Sequence, residues 1–137
     1  MAEILIKEVP SQESVASKSA KFSTVKEADG SVKDALASKE IAKGLKLVGK
    51  KSSFTGVVDH VFSPKHNKSV YINFSDPFKN TISGHVYAED YKKFPNLKDL
   101  KGKRVVISGT FSAYQETHPE IKIKDLSQLK IVESAKK

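Results

Sequence analysis

Short runs of alternating apolar and polar residues follow one another through the second half of the chain. Because neighbouring side chains in a strand point to opposite faces, this alternation predicts β-strands with one face on a core. Glycines inside the first and fourth runs, Gly56 and Gly109, predict the bends that a small barrel needs in order to close. The predicted strands 1 to 5 cover residues 50–62, 69–74, 81–87, 104–114 and a closing run over 119–132.

The first half of the chain has a different pattern. Residues 11–24 are rich in Ser, Lys, Ala and Glu, and such a segment is typical of a linker or arm. Ser31–Lys43 is predicted to be a helix with a capping box at Ser31 and Asp34 and a C-terminal cap at Gly44. A short helical turn is predicted at Glu89–Phe94, between strands 3 and 4. The predicted organisation is a partly flexible N-terminal arm (1–30), a helix leading into the barrel (31–48), the barrel domain (49–133) and a tail (134–137).

The distribution of charge along the chain indicates a candidate function for this fold. The formal net charge is +8, and residues 49–137, with 16 Lys or Arg and 9 Asp or Glu, carry +7 of it. A positive surface attracts polyanions through counterion release, so nucleic acid is a candidate partner. The chain has no cysteine, and its start lacks the basic and apolar regions of a signal peptide. We expect a soluble, cytoplasmic protein without a membrane partner.

The order of these runs resembles that of a known family. Gly49–Val58, Ser69–Phe74, Gly102–Thr110 and the run from Pro119 to Val132 are similar to strands of OB-fold nucleic-acid-binding domains. The likeness is to bacterial OB domains and, more loosely, to single-stranded DNA-binding proteins of phages and plasmids, which are mobile genetic elements. It covers about 85 residues and implies an all-β fold with minor α: a five-stranded Greek-key barrel with a short helix between strands 3 and 4.

The resemblance also implies where a ligand binds. OB folds bind oligonucleotides across strands 2 and 3, framed by the loops between strands 1 and 2 and strands 4 and 5. Tyrosines on that face are expected to stack on bases, and lysines beside it to contact phosphates. The candidate binding residues are Tyr71, Asn73, His85, Tyr87, Tyr114, Lys65, Lys68, Lys79, Lys122 and Lys124.

Each assignment has a structural alternative. Tyr71 and Tyr87 could instead pair across strands and stabilise the sheet, and exposed lysines also serve solubility and protect strand edges. The loop Tyr114–His118 departs from the family pattern, because it contains Glu116 and no glycine.

The sequence therefore predicts a protein that binds single-stranded DNA with little sequence preference, and RNA is a further candidate. The alternative is an OB-fold adaptor or an accessory subunit of a nucleic-acid-processing complex, with Ile4–Ile6 driving homo-oligomers. We expect no enzymatic activity, because Arg104 is the only arginine and the acidic residues form no catalytic set. We also expect no metal and no cofactor, because His85 and His118 have no third ligand nearby in the sequence.

Overall fold

The computed structural model describes residues 10–64, 68–75 and 80–133. Nine strands and three short α-helices lie within these ranges, together with three 3₁₀ helices over residues 88–93, 97–100 and 126–128. The α-helices and strands, in chain order, are α1 Gln12–Val15, β1 Ser23–Lys26, α2 Gly30–Lys33, β2 Leu36–Ala37, α3 Ile41–Lys46, β3 Lys51–Val57, β4 His60–Phe62, β5 Ser69–Asn73, β6 Ser83–Tyr87, β7 Arg104–Tyr114, β8 His118–Lys122 and β9 Leu129–Glu133.

The central sheet curls into a barrel whose strand order is β4-β5-β6-β8-β7-β3. The β6–β8 pairing is parallel, and the other pairings in this order are antiparallel. Its two end strands, β3 and β4, are the two halves of predicted strand 1, separated by Val58 and Asp59. The bend at these residues brings the two ends of the sheet together, so the predicted five-stranded arrangement is confirmed.

The barrel interior is filled by the side chains that the alternation places inside. Val70, Ile72 and Phe74 on predicted strand 2 and Ile82 and Val86 on strand 3 are all buried. The ring of Phe54 lies edge-on to Phe74, with the centroids 5.3 Å apart, and it also contacts Phe111. Each such ring buries a large apolar area and adds to the hydrophobic stabilisation of the barrel.

The segment between predicted strands 3 and 4 packs on the core of the barrel and is helical, as predicted. It forms two 3₁₀ helices, Ala88–Lys93 and Leu97–Leu100, rather than one α-helical turn. Tyr91, Phe94, Leu97 and Leu100 are buried in the core cluster. Pro95, which lacks a backbone N–H, separates the two helices.

The single helix predicted over residues 31–48 is wrong. The chain forms α2, then β2, which pairs in parallel with Phe54 and Thr55 of β3, and then α3. The cap of α2 is Asp29, whose carboxylate accepts from the Ser31 N–H, so the predicted capping box is not present. Gly44 lies inside α3 rather than after its end. A Cβ added at Gly44 would come within 3.1 Å of Pro119. The pairing with β3 therefore outweighs a weak local preference for helix.

The prediction of a linker over residues 11–24 is also corrected. Gln12, the first residue of α1, is 3% exposed. Its side-chain amide donates to the Pro95 carbonyl at 2.9 Å and accepts from the Leu97 N–H at 2.9 Å. Further along, β1 pairs in parallel with β9. A segment poor in apolar residues is thus ordered by hydrogen bonds to the backbone of the barrel, which composition does not reveal.

The closing run predicted over 119–132 consists of two strands. β8 pairs with β6 and β7, and β9 pairs with the other half of β7, with the 3₁₀ helix Leu126–Gln128 between them. Among the residues that the structure describes, no helix has the length and apolar character needed to cross a membrane.

Candidate nucleic-acid interface

A row of aromatic rings crosses the outer wall of the barrel on β4, β5 and β6. Phe62 is directly opposite Tyr71, and Tyr71 is directly opposite His85. The Phe62 and Tyr71 centroids are 6.4 Å apart, and those of Tyr71 and His85 are 4.3 Å apart with the planes inclined by 22°. Tyr87 continues the row, with its centroid 4.4 Å from that of His85. We call Phe62, Tyr71, His85 and Tyr87 the aromatic row.

The exposed surface of this row is concentrated at its two ends. Phe62 is 50% exposed and Tyr87 is 36% exposed, whereas Tyr71 is half-buried and His85 is buried. The Nζ of Lys122, which is opposite His85 on β8, lies 5.0 Å from the centre of the Tyr87 ring. Ring faces with a cation beside them are the features that bind a stacked base and its phosphate.

A buried polar layer lies beside the aromatic row on the same wall. The hydroxyl of Ser83 donates to Oδ1 of Asn73 at 2.9 Å. Nδ1 of His85 is 3.4 Å from a carboxylate oxygen of Glu120, which is also buried. These hydrogen bonds fix the strands that carry the rings and set the orientation of the His85 imidazole.

The structure corrects the expected exposure of two predicted contacts. Asn73 and His85 lie on the predicted outer face, but they are only 4% and 5% exposed. The Asn73 amide is occupied by Ser83 and by Nε2 of His60, and His85 is covered by the rings of Tyr71 and Tyr87. Alternation predicts the face of a side chain but not whether its neighbours cover it, so both residues support the wall rather than form its surface.

Tyr71 and Tyr87 lie close together on this wall, with His85 between them, and Lys122 lies beside Tyr87. Burial raises the pKa of the Tyr71 hydroxyl above its ordinary value, and a hydrogen bond with Ser69 opposes the rise. A phenol is neutral at physiological pH at its ordinary pKa as well, so this shift does not change the charge of Tyr71.

The other predicted contacts lie around this centre. Lys68 is exposed just before β5, and Lys124 is exposed just after β8. Tyr114 is 43% exposed at the end of β7, where it is opposite His118. Lys65 and Lys79 lie outside the described residues, so their contribution stays a prediction.

The loop after Tyr114 is a tight turn despite its lack of glycine. Gln115 and Glu116 both have left-handed backbones, with φ of 53° and 67°. Such a turn matches the twist of the flanking strands. It joins β7 to β8 in three residues, so this loop frames the face closely rather than reaching across it.

Phe62 is the ring that the sequence analysis missed. Continuous alternation from Phe54 through Val58 would place Phe62 inside the barrel. The irregular residues Val58 and Asp59 shift the alternation by one position, so that Val61 packs on the core and Phe62 faces outward. Asp59 in the middle of an apolar run is the signal that could have revealed this shift.

Comparisons with known proteins support the architecture of this barrel. Over the whole chain, the structure is similar to aspartyl-tRNA synthetase from Entamoeba histolytica, with a TM-score of 0.54 and 15% sequence identity. The chain has the OB fold. It spans 29% of the length of that synthetase. A putative aspartyl-tRNA synthetase from Leishmania major Friedlin aligns with 89% of the chain and 22% of its own length, at 14% identity and a TM-score of 0.42.

At the level of sequence, no protein-family model and no curated protein matches the chain. Within the described parts of this OB fold, no group of three or more His, Asp or Glu side chains could hold a metal ion. The aromatic row, with Lys122 beside it, is the candidate binding surface on this wall.

Proposed function

We propose that the protein binds single-stranded nucleic acid, most directly single-stranded DNA, with little sequence preference. The observation that carries this proposal is the aromatic row, whose exposed ends, Phe62 and Tyr87, lie on the same wall as Lys122. Every base has a flat face, so stacking on rings tolerates any sequence and contributes about 1–3 kcal/mol per base. Lysine adds a point charge that a phosphate can approach from many directions.

The preference for single strands follows from the geometry of stacking. In a duplex, the flat faces of the bases are already covered by their neighbours, so they cannot reach Phe62 or Tyr87. The row also runs along the strand 2 and 3 face on which OB folds commonly hold oligonucleotides. RNA is the second candidate ligand, and the structural similarity to an enzyme named for a tRNA favours including it in the test.

The proposal is tested by fluorescence anisotropy with labelled oligothymidylate, the matching oligouridylate and duplex DNA over a series of salt concentrations. We expect binding of single strands to exceed that of the duplex, and log K to fall linearly with log salt. No binding of any single strand at low salt, or equal affinity for the duplex, would overturn the proposal. A stronger affinity for oligouridylate than for oligothymidylate would identify RNA as the ligand.

A further inference from the structure

A groove of about 770 Å³ lies on the outer wall across β3, β7 and β8, next to the aromatic row. Its lining combines cations and hydroxyl groups and contains no aromatic ring and no carboxylate among the described residues. We call it the Ser/Lys groove, and its principal side chains are those of Lys51, Lys122, Lys124, Ser53, Ser108 and Thr110.

The groove is concave because its floor is made of small residues. Outward side chains on β7 are Ser108 and Thr110, which are opposite Ser53 and Lys51 on β3. Between them, Gly109 has a φ of +151°, and a Cβ at this position would come within 2.7 Å of the Gln128 amide. Larger residues at these positions would fill the space between the lysines.

Gln128 holds the floor of the Ser/Lys groove at the point where β7 changes its pairing partner from β9 to β8. β7 pairs with β9 up to Ile107 and with β8 from Phe111 onward. In the gap, the Gln128 amide donates to the carbonyls of Ser108 and Lys122 and accepts from the Lys124 N–H, at 2.9, 3.0 and 2.8 Å. The backbone that presents Lys122 and Lys124 is therefore held rigidly.

The chemistry of the groove fits phosphate better than bases. Lys51, Lys122 and Lys124 are exposed, and no ion pair to a carboxylate is found for them within the described ranges. Lysine, serine and threonine are side chains that bond phosphate oxygens in complexes with nucleic acids. Without a ring, the groove offers no surface on which a base could stack.

The groove continues the aromatic row in register. Phe62, Tyr71, His85 and Lys122 are successive cross-strand partners. The pairing of Phe111 with Ile121 places Thr110 next to Lys122, and Thr110 is directly opposite Lys51. One line of side chains thus crosses five strand-to-strand steps from Phe62 to Lys51, or about 24 Å along the wall at the usual strand spacing.

We propose that the Ser/Lys groove binds the phosphodiester backbone of the same strand whose bases stack on the aromatic row. This inference rests on the proposed function and extends its site from β4–β6 onto β8, β7 and β3. It assigns a binding role to Lys51 and to the hydroxyls of Ser108 and Thr110. It also predicts that the footprint exceeds the few nucleotides that the rings alone would hold.

The test compares two double variants that remove equal charge. Lys51→Gln with Lys124→Gln removes two of the three lysine charges of the groove and leaves Lys122 and the aromatic row intact. Lys101→Gln with Lys103→Gln is the matched control, because both lysines are exposed near Arg104, at the opposite end of the β3–β7 pair from Lys51. Circular dichroism of each variant confirms that the barrel is folded.

Each variant is titrated with oligothymidylates of about 6 and about 16 nucleotides, which lie near the lower and upper ends of the range of OB-fold site sizes. We expect the groove variant to bind the longer oligomer at least fivefold more weakly than the control variant does. We also expect the slope of log K against log salt to become shallower by about 1.4, since each lost phosphate contact contributes about 0.7 on single strands. Affinity for the shorter oligomer should change by less than twofold.

The proposal that the Ser/Lys groove binds the backbone would be overturned by equal effects of the two double variants. An unchanged affinity and salt slope of the groove variant for the longer oligomer would overturn it as well. Phe62→Ala separates this failure from failure of the proposed function. If the groove variant weakens binding and Phe62→Ala does not, phosphate binding stands and stacking on the row is wrong. If only Phe62→Ala weakens binding, stacking on the aromatic row is supported and backbone binding in the Ser/Lys groove is wrong.

Discussion

The ring of Tyr71 lies nearly parallel to the imidazole of His85, with the two centroids 4.3 Å apart on directly opposite residues of β5 and β6. His85 contacts Tyr87 on the same strand. The imidazole therefore acts as a spacer between two tyrosine rings and stabilises their positions. The cross-strand partner of Tyr71 is His85 and that of Tyr87 is Ser69, so the two tyrosines are linked through the imidazole rather than paired with each other. This packing preorganises the ring faces that the proposed stacking would use.

Phe62→Leu should weaken binding of single-stranded nucleic acid by about 5- to 150-fold, the equivalent of the roughly 1–3 kcal/mol that one stacked base contributes, because Phe62 is the most exposed ring of the row. Leucine keeps the position apolar, so the barrel should remain folded, but it has no flat face. Anisotropy titrations at fixed low salt measure the change. Val57→Ala is the control because Val57 is 55% exposed and lies outside the row, and equal losses in both variants would contradict the role of stacking.

Gln12→Ala should lower the free energy of unfolding by about 2–3 kcal/mol, since it leaves the buried Leu97 N–H and the Pro95 carbonyl without their partner. Urea denaturation followed by circular dichroism measures this loss. The control is Glu13→Ala at the next position, where an exposed ion pair with Lys98 contributes less than about 1 kcal/mol. If the two variants were equally stable, α1 would not be tied to the barrel as described.

Gly109→Ala should destabilise the fold by about 1–3 kcal/mol, because alanine is strained at its left-handed φ and the new Cβ would displace the Gln128 amide. Thermal and urea unfolding give the size of the effect. Gly30→Ala provides the comparison: its Cβ would meet nothing within 4 Å, so we expect a change of less than about 1 kcal/mol. A Gly109→Ala protein as stable as the parent would show that the groove floor around Gln128 accommodates a Cβ without loss of stability.

The barrel could be predicted from the sequence because its strands and bends leave local patterns in the chain. Inward positions such as Phe54, Ile72 and Phe111 recur with the period of a strand, and Gly109 marks a bend that no other residue makes easily. The first half could not be predicted in this way. The backbone partners that order Gln12 and β2 lie 85 and 18 residues away in the chain, and no periodicity in the sequence indicates those partners.

The residues of the candidate interface also differ in whether local pattern or distant contacts determine their exposure. Alternation is enough to predict that Tyr71, Tyr87 and Lys122 face outward, whereas the resemblance to OB folds implies that this face binds a ligand. Phe62 could not, because a shift at Asp59 reverses its face, and the burial of Asn73 and His85 depends on which side chains cover them. Lys51 escaped notice because its relation to Thr110 depends on the register between distant strands.

Raising the pH above about 10 should destabilise the protein through Tyr91. This residue is 1% exposed, and burial raises the pKa of its hydroxyl to about 12. Below pH 10 the phenol is protonated in both states, so its contribution to stability is complete. Between pH 10 and 12 the unfolded chain loses this proton first, and the free energy of unfolding falls by at most about 1.4 kcal/mol per pH unit.

Tyr91→Phe removes this titration while keeping the ring, so it isolates the effect from the other groups that ionise at alkaline pH. Urea denaturation of both proteins between pH of about 8 and about 11 should give a constant stability difference at the lower end. Above pH 10 the parent should lose stability faster than the variant. Parallel curves over the whole range would show that the Tyr91 hydroxyl ionises as readily in the folded barrel as in the unfolded chain.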